Sequence, residues 1–394
     1  MTTARELNPL FAGIDLVPSM GGPFKTVRCF QRALGGRVVS FTHPRDMHEA
    51  DGAITYVRSV GGPLGRLFLP AAPGQIARAD ALLPGVNLLS CHILYRHSAH
   101  WVRSRARRLG VPYWVVPHGC LDPYVFTYRA GIKRAWMQLF GRRMLRDASS
   151  VIFSTRREME KARPWLERDN ARVVRWPVEL TDLTALASAR ALWRGRLGIP
   201  PDARVLLSLG RLHPMKRPIE TVRALVAAEA PGVHLIVAGP ESRLTAAGIN
   251  NVAREAGVGP RVHAIGPVYG NDKSAMMLAV DGLISLSVRE NFNHSAAEAM
   301  AAGIPVILSP GNDLAPDLEA VGCGWMLHDD SSASAAGAIQ EFARATPAAL
   351  AEMGARGRDF VRDELSHEVF TRSLRSLAEE SLVEPPAHQH SRGS

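Results

Sequence analysis

Ser287-Val-Arg-Glu-Asn-Phe-Asn-His-Ser-Ala-Ala-Glu-Ala-Met-Ala-Ala-Gly-Ile-Pro-Val306 is the stretch whose reading decides the fold. An apolar, strand-like run, Gly282-Leu-Ile-Ser-Leu286, precedes it, and another, Ile304-Pro-Val-Ile-Leu308, overlaps its end. Between them lies a helix-like run closed by Gly303. Strand, loop, helix, strand is the repeat of a parallel α/β sheet. Glu290 falls on the loop and Glu298 about one turn inside the helix. Ligands of open α/β sheets bind at the carboxyl edge of the strands, where this loop lies. The N–H groups at the helix start, from Asn293 to Ser295, favour an anion there. The stretch therefore presents two carboxylates able to accept hydroxyl hydrogen bonds, with an anion site between them. A sugar and a ribose joined by a diphosphate match that arrangement.

Outward from this stretch, the C-terminal half reads as a regular βα repeat. Strands are expected at 205–209, 234–238, 262–265, 282–286, 304–308 and 324–327, with helical patterns between them. Such alternation predicts a parallel, doubly wound sheet. The first of these strands runs into Gly210-Arg-Leu-His-Pro-Met-Lys-Arg-Pro218, which puts Arg211 and Lys216 at the ligand-binding edge. Two fixed cations there suit a diphosphate, the arginine by a forked contact and the lysine as a point charge.

The N-terminal half repeats the pattern less cleanly. A strand over 10–17 runs into Pro18-Ser-Met-Gly-Gly-Pro-Phe-Lys25, and a helix follows over 26–34. The paired Gly21 and Gly22 let backbone approach a ligand closely, although the stretch lacks the Gly-x-Gly-x-x-Gly of a dinucleotide site. Further strands are expected at 37–41, 53–57, 87–91, 112–116, 149–153 and 171–174, with a helix over 97–109. His92 ends one strand, and His118 ends another in Pro117-His-Gly-Cys-Leu-Asp-Pro123. Over 128–146, Ile132, Trp136, Leu139, Phe140 and Leu145 fall near one helical face, with Lys133, Arg134, Arg142, Arg143 and Arg146 on a basic side. Two readings of this segment stand: a helix lying on an anionic membrane surface, or a core-packing helix with a solvated face. Trp176-Pro-Val-Glu-Leu180 breaks the pattern and is expected to be the interdomain hinge.

At 394 residues the chain exceeds one ordinary core, so two domains are expected. Composition is globular, with no charge-free apolar run of about 18 residues to span a bilayer. The first residues lack the apolar core of a signal peptide. Cys29, Cys91, Cys120 and Cys323 are scattered, with neither zinc-ligand spacing nor a disulfide framework, which points to a reducing cytoplasm. A formal net charge of +10 favours phosphates, anionic lipid or nucleic acid. No ribonucleoprotein motif or zinc finger supports the last of these.

Taken together, Glu290-x7-Glu298 with its Ala-Met-Ala-x-Gly-x-Pro-Val306 continuation, Gly210 to Lys216, the Gly21-Gly22 loop and Pro117 to Pro123 resemble the retaining glycosyltransferases of family 4, also called group 1. The Pro117 to Pro123 segment resembles a bacterial polysaccharide branch of that family. The resemblance extends over about residues 11 to 381. It implies the GT-B fold: two Rossmann-like, doubly wound parallel-sheet domains facing a cleft, with an acceptor domain over 1–178 and a donor domain over 179–364. A helix over 365–382 is implied to pack back on the first domain, and 383–394 is expected to be a disordered tail.

By that resemblance, His118, Arg211, Lys216 and Glu290 form the catalytic set. Gly21, Gly22, Pro267, Val268, Asn291, Phe292, Asn293, His294, Ser295 and Glu298 join Arg211 and Lys216 in binding the donor. His92 and Asp122 are further candidates on the acceptor side. The implied reaction moves a sugar from a UDP- or GDP-linked donor to a glycan or lipid-diphosphate-linked acceptor in cell-surface polysaccharide synthesis. It uses no cofactor and no metal, since no Asp-x-Asp motif is present to hold one. The expected location is the cytoplasm, with an anionic inner membrane face as a partner surface. Alternatives are a nucleotide-sugar epimerase or sugar phosphorylase of the same fold, or an inactive glycan-binding or nucleic-acid-binding protein. Two departures from the family pattern stand out. Its Glu-Gly-Phe-Gly is Glu290-Asn-Phe-Asn293 here, and its Asn-Gly near the hinge is Trp176-Pro177.

Overall fold

A strand buried on both faces can afford no polar alternation, and most strands of this chain have none. The computed structural model describes residues 6–18, 21–42, 52–58, 73–184 and 186–383. The expected tail at 384–394 lies outside them. The described residues up to Pro177, with those from His367 onward, form one compact unit, and Val178–Ser366 form another.

In the first unit, β1 (Pro9–Ile14), β2 (Arg37–Thr42), β3 (Thr55–Arg58), β4 (Leu88–His92), β5 (Tyr113–Val116), β6 (Ser150–Phe153) and β7 (Ala171–Val173) form a sheet of order β3-β2-β1-β4-β5-β6-β7. All its pairings are parallel. The winding reverses between β1 and β4, where Ala12 lies opposite Cys91. β1 and β4 are buried from end to end. The helix His367–Val383 closes this unit by burying Phe370, Leu374, Leu377 and Ala378. Phe370 meets Phe30 edge-on at 5.4 Å, and the Trp114 indole N–H donates to Ser381 Oγ at 2.9 Å.

The second unit holds β8 (Arg204–Leu209), β9 (Val233–Ala238), β10 (Val262–Gly266), β11 (Gly282–Ser285), β12 (Val306–Leu308) and β13 (Gly324–Met326). Its order is β10-β9-β8-β11-β12-β13, again all parallel. Here the winding reverses between β8 and β11, where Leu207 faces Leu283. Each sheet thus has a switch point, and chain leaving the carboxyl ends of the two flanking strands diverges there to leave a crevice.

The single apolar face expected over 128–146 does not form. A helix, Ala130–Trp136, passes through a π turn, Met137–Gly141, into a second short helix, Arg142–Asp147. The wider turn breaks the four-residue spacing on which one face depends. Trp136, Met137, Met144 and Leu145 are core residues, whereas Ile132 and Leu139 stand exposed. The basic side is partly spent on internal partners. Lys133 donates to the carbonyls of Val125 and Tyr128, Arg142 pairs with Glu167, and Arg146 with Asp147. Among the described residues no helix is long and apolar enough to cross a membrane.

Candidate functional site

The switch point of the second sheet brings together two loops far apart in sequence. The loop after β8 enters a one-turn 3-10 helix, Pro214–Lys216, started by His213, whose Nδ1 accepts from Met215 N at 3.1 Å. The loop after β11 carries Glu290 and leads into the helix His294–Ala301. Val288 N donates to Met215 O at 2.9 Å and ties the loops to each other. At their meeting point the Lys216 ammonium is bonded to Glu290. Burial and, second, the charge of Arg211 push the Lys216 ammonium down to about 8. Its contact with Glu290 favours the charged form.

Glu290 is braced from a third loop. Its N–H donates to Gly311 O, and its carbonyl accepts from Asp313 N, both at 2.8 Å. Gly311 is required by this approach, because a Cβ there would lie 2.1 Å from Ser287 O and 2.4 Å from Val288 O. Asn312 completes the brace. Its Nδ2 donates to Ser285 O, Ser309 O and Ser309 Oγ, and its Oδ1 accepts from Asn293 Nδ2 at 2.6 Å.

Asn293 explains one departure in the motif. Its φ is +59°, the left-handed region in which asparagine is tolerated better than most residues with a side chain. The side chain does not reach outward. Oδ1 caps the helix at Ala296 N, and Nδ2 is held by Asn312 and Ser285. Phe292 is likewise buried, so neither side chain is presented at the surface of the loop. Asn291, His294 and Ser295 are half-buried around the same helix start.

Glu298, one turn into the helix, is bonded to Lys273 from the helix Gly270–Leu278. That lysine escaped the sequence reading. Its signal was its place just after Pro267 and Val268, which follow β10 as exposed and half-buried residues. Each carboxylate of the pair is thus neutralised by a lysine from a different segment, Lys216 from the turn after β8 and Lys273 from the helix after β10.

In the first unit, Gly21 caps the helix Gly22–Leu34 with φ +73°, a conformation open to glycine without strain. His118, after β5, is a non-glycine residue at φ +52°. Its Nε2 lies 3.0 Å from Nδ1 of His92, the last residue of β4. His92 has no exposed surface, and Asp122 is buried as a cap for Tyr124 N and a partner of Lys161. Both acceptor-side candidates therefore sit inside the unit, and only His118 of the three is partly exposed. Trp176, expected in a hinge, is buried against Phe30, His118 and Phe370. Glu158 lies in the first turn of the helix Arg156–Ala162. Its carboxylate reaches Gly119 N at 2.7 Å and Ser154 N at 2.8 Å. The Thr155-Arg-Arg-Glu158 capping box was its signal, and that pattern starts many helices.

Residues 26–179 match the glycosyl transferase 4-like domain, and residues 189–360 match the family of glycosyl transferases group 1. Consecutive glycosyltransferase domains therefore account for most of the chain, and it belongs to the group 1 glycosyltransferases. The D-inositol 3-phosphate glycosyltransferase of Mycobacterium bovis (strain BCG / Pasteur 1173P2) is 38% identical over 117 residues, 29% of this chain and 24% of that protein. The similarity thus spans about a quarter of the curated relatives' length. The sucrose-phosphate synthase of Thermosynechococcus elongatus matches with a TM-score of 0.73 at 22% identity, covering 95% of this chain and 98% of that one. Anabaena HepE in complex with UDP matches with a TM-score of 0.78 at 17% identity, covering 95% and 100%. With the two parallel sheets, these likenesses establish the GT-B fold.

Proposed function

We propose that the chain is a retaining glycosyltransferase of family 4 that moves a sugar from a nucleoside-diphosphate donor to a glycan or lipid-linked acceptor in cell-surface polysaccharide synthesis. One observation carries this reading: Lys216, within the field of Arg211, meets Glu290 just ahead of the Glu298 helix at the β8/β11 switch point. The donor diphosphate takes the place between the cations and the helix start. Glu298 accepts from ribose hydroxyls and Glu290 from the sugar. Binding then exchanges the lysine contacts of both carboxylates for ligand hydroxyls, and releases Lys216 toward phosphate.

Transfer breaks the bond from the anomeric carbon to the diphosphate oxygen and forms one to the acceptor oxygen on the same face. The leaving phosphate oxygen takes the acceptor proton. The protein's part is to stabilise the departing charge. Arg211 and Lys216 supply that stabilisation, so turnover is expected to continue in EDTA. The HepE structures with UDP and with UDP-glucose support a UDP-linked donor. A thermal-shift screen of UDP- and GDP-sugars, followed by a transfer assay with and without acceptor, tests the reading. A single nucleotide-sugar class should raise the melting temperature, and turnover should require acceptor. Turnover without acceptor would make the chain an epimerase, and no response to any nucleotide-sugar would overturn the donor assignment.

The low Lys216 pKa gives the site a pH signature. The cation is present below about 8 and is lost above it, whereas an ordinary lysine keeps its charge to 10.5. Affinity for the nucleoside diphosphate should therefore fall up to about tenfold between pH 7 and pH 9. Lys216→Arg should flatten that dependence, because arginine stays charged throughout. Calorimetry at the two pH values checks both.

An anionic membrane surface is proposed as a partner on narrower grounds than the sequence suggested. Tyr128, Ile132 and Leu139 are exposed beside the exposed Arg134 and Arg143. Each such cation contributes about 1 kcal/mol near an anionic bilayer. Sedimentation with anionic vesicles at low salt should carry the protein down and high salt should release it. Protein left in the supernatant at low salt would refute the contact.

A further inference from the structure

The turn that presents His118 is built at some energetic cost. A non-glycine residue at φ +52° is disfavoured by roughly 1–3 kcal/mol and persists only where its surroundings over-determine it. Here the buried Glu158 carboxylate accepts from Gly119 N through Oε1, and from Ser154 N and Oγ through Oε2. These bonds hold the backbone of the turn. The His118 ring lies tilted against Trp176, 5.9 Å between centroids.

A third constraint acts on the ring nitrogens. His118 Nε2 is 3.0 Å from His92 Nδ1, and His92 Nε2 is 3.3 Å from Ser90 Oγ. His92 is wholly buried, edge-on to Phe30 at 5.0 Å and to Phe11 at 6.2 Å. Burial first, and the neighbouring His118 second, hold His92 well below the usual histidine range, so it is neutral and has a single N–H. The two bonds are coupled: with Ser90 Oγ accepting that N–H at Nε2, His92 Nδ1 is an acceptor facing His118, and with Ser90 Oγ donating instead, His92 Nδ1 carries the proton and donates to His118.

We propose that His92, supported by Ser90, is a positioning residue that fixes the proton of His118 on Nε2, so that Nδ1 is the nitrogen through which His118 acts on substrate. This rests on the transferase reading for what His118 does, though not for how it is held. The logic is that of an acid–base group oriented by a buried partner that itself never meets substrate.

The test uses the side-chain geometry of the buried partner. In His92→Asn a polar atom remains where Nδ1 stood, in His92→Gln one remains near Nε2, and in His92→Phe neither does while the ring packing is kept. Long-range ¹H–¹⁵N spectra of the histidine-labelled full chain read the tautomer directly. His118 should be the single Nε2–H tautomer in the wild type and His92→Asn, and a mixture in His92→Gln and His92→Phe. Transfer should follow the same order. For His92→Phe and His92→Gln, kcat should drop about tenfold or more with the donor KM unchanged, and for His92→Asn it should stay within about threefold. An Nδ1–H tautomer of His118 in the wild type would overturn the proposal, and so would a His118 spectrum unchanged in His92→Phe or activity that tracks melting temperature. The wild-type spectrum decides even if a variant fails to fold. It also decides if no transfer is found, in which case the transferase reading falls separately.

Discussion

Arg211→Ala and Lys216→Ala are each expected to lower turnover by about 10²-fold or more, because each removes a preorganised cation from the place where the diphosphate charge develops. The two losses should differ in kind. Arg211 offers a fork of donors, and lysine in its place should restore only part of the rate. Removing Lys216 does two things: it deletes a cation and leaves the half-buried Glu290 carboxylate without its lysine. Glu290 would then repel the donor phosphate, so Lys216→Ala should raise donor KM as well as lower kcat. A Lys216→Ala/Glu290→Gln double variant should recover donor binding without recovering turnover. Near-normal kinetics in both single variants would remove the diphosphate assignment.

Glu298→Ala and Glu290→Ala should separate binding from chemistry. Loss of a carboxylate that accepts ribose hydroxyls costs about 1.5–3 kcal/mol, so Glu298→Ala should weaken nucleoside-diphosphate affinity by about 10- to 100-fold. Glu290→Ala should cut turnover by a comparable factor or more, while the free nucleoside diphosphate binds nearly as before. The Lys273–Glu298 contact adds a control. Lys273→Ala alone should leave affinity within a few-fold of wild type if the ligand displaces that lysine on binding. Calorimetry that finds the nucleotide lost with Glu290 and retained without Glu298 would reverse the two roles.

Much of this was legible before the structure. Apolar runs separated by helical periodicity placed the thirteen strands described in the two sheets to within a few residues, and strands such as β1 and β5, buried from end to end, are written as uninterrupted apolar runs. Position was legible too: Arg211, Lys216 and Glu290 lie in the connections that follow strands and Glu298 lies one turn into the next helix, and the carboxyl edge of the sheet follows from strand direction alone. The segment over 128–146 was harder to read. Periodicity reports spacing along an assumed helix, and a π turn changes the spacing without changing composition.

By itself, then, the sequence determined the βα order of the chain, the carboxyl-edge positions of its charged residues and the glycosyltransferase pattern they spell. Only the tertiary structure decided which residues meet. Lys216 joins Glu290, Lys273 joins Glu298, and Asn312 joins Asn293, because strand order in a sheet is set by pairing at a distance, and nothing local records it. It also decided what is hidden. His92 and Asp122 look like site residues at strand and turn ends, and the packing around them puts them behind the surface, where a polar group must find a protein partner instead of a ligand.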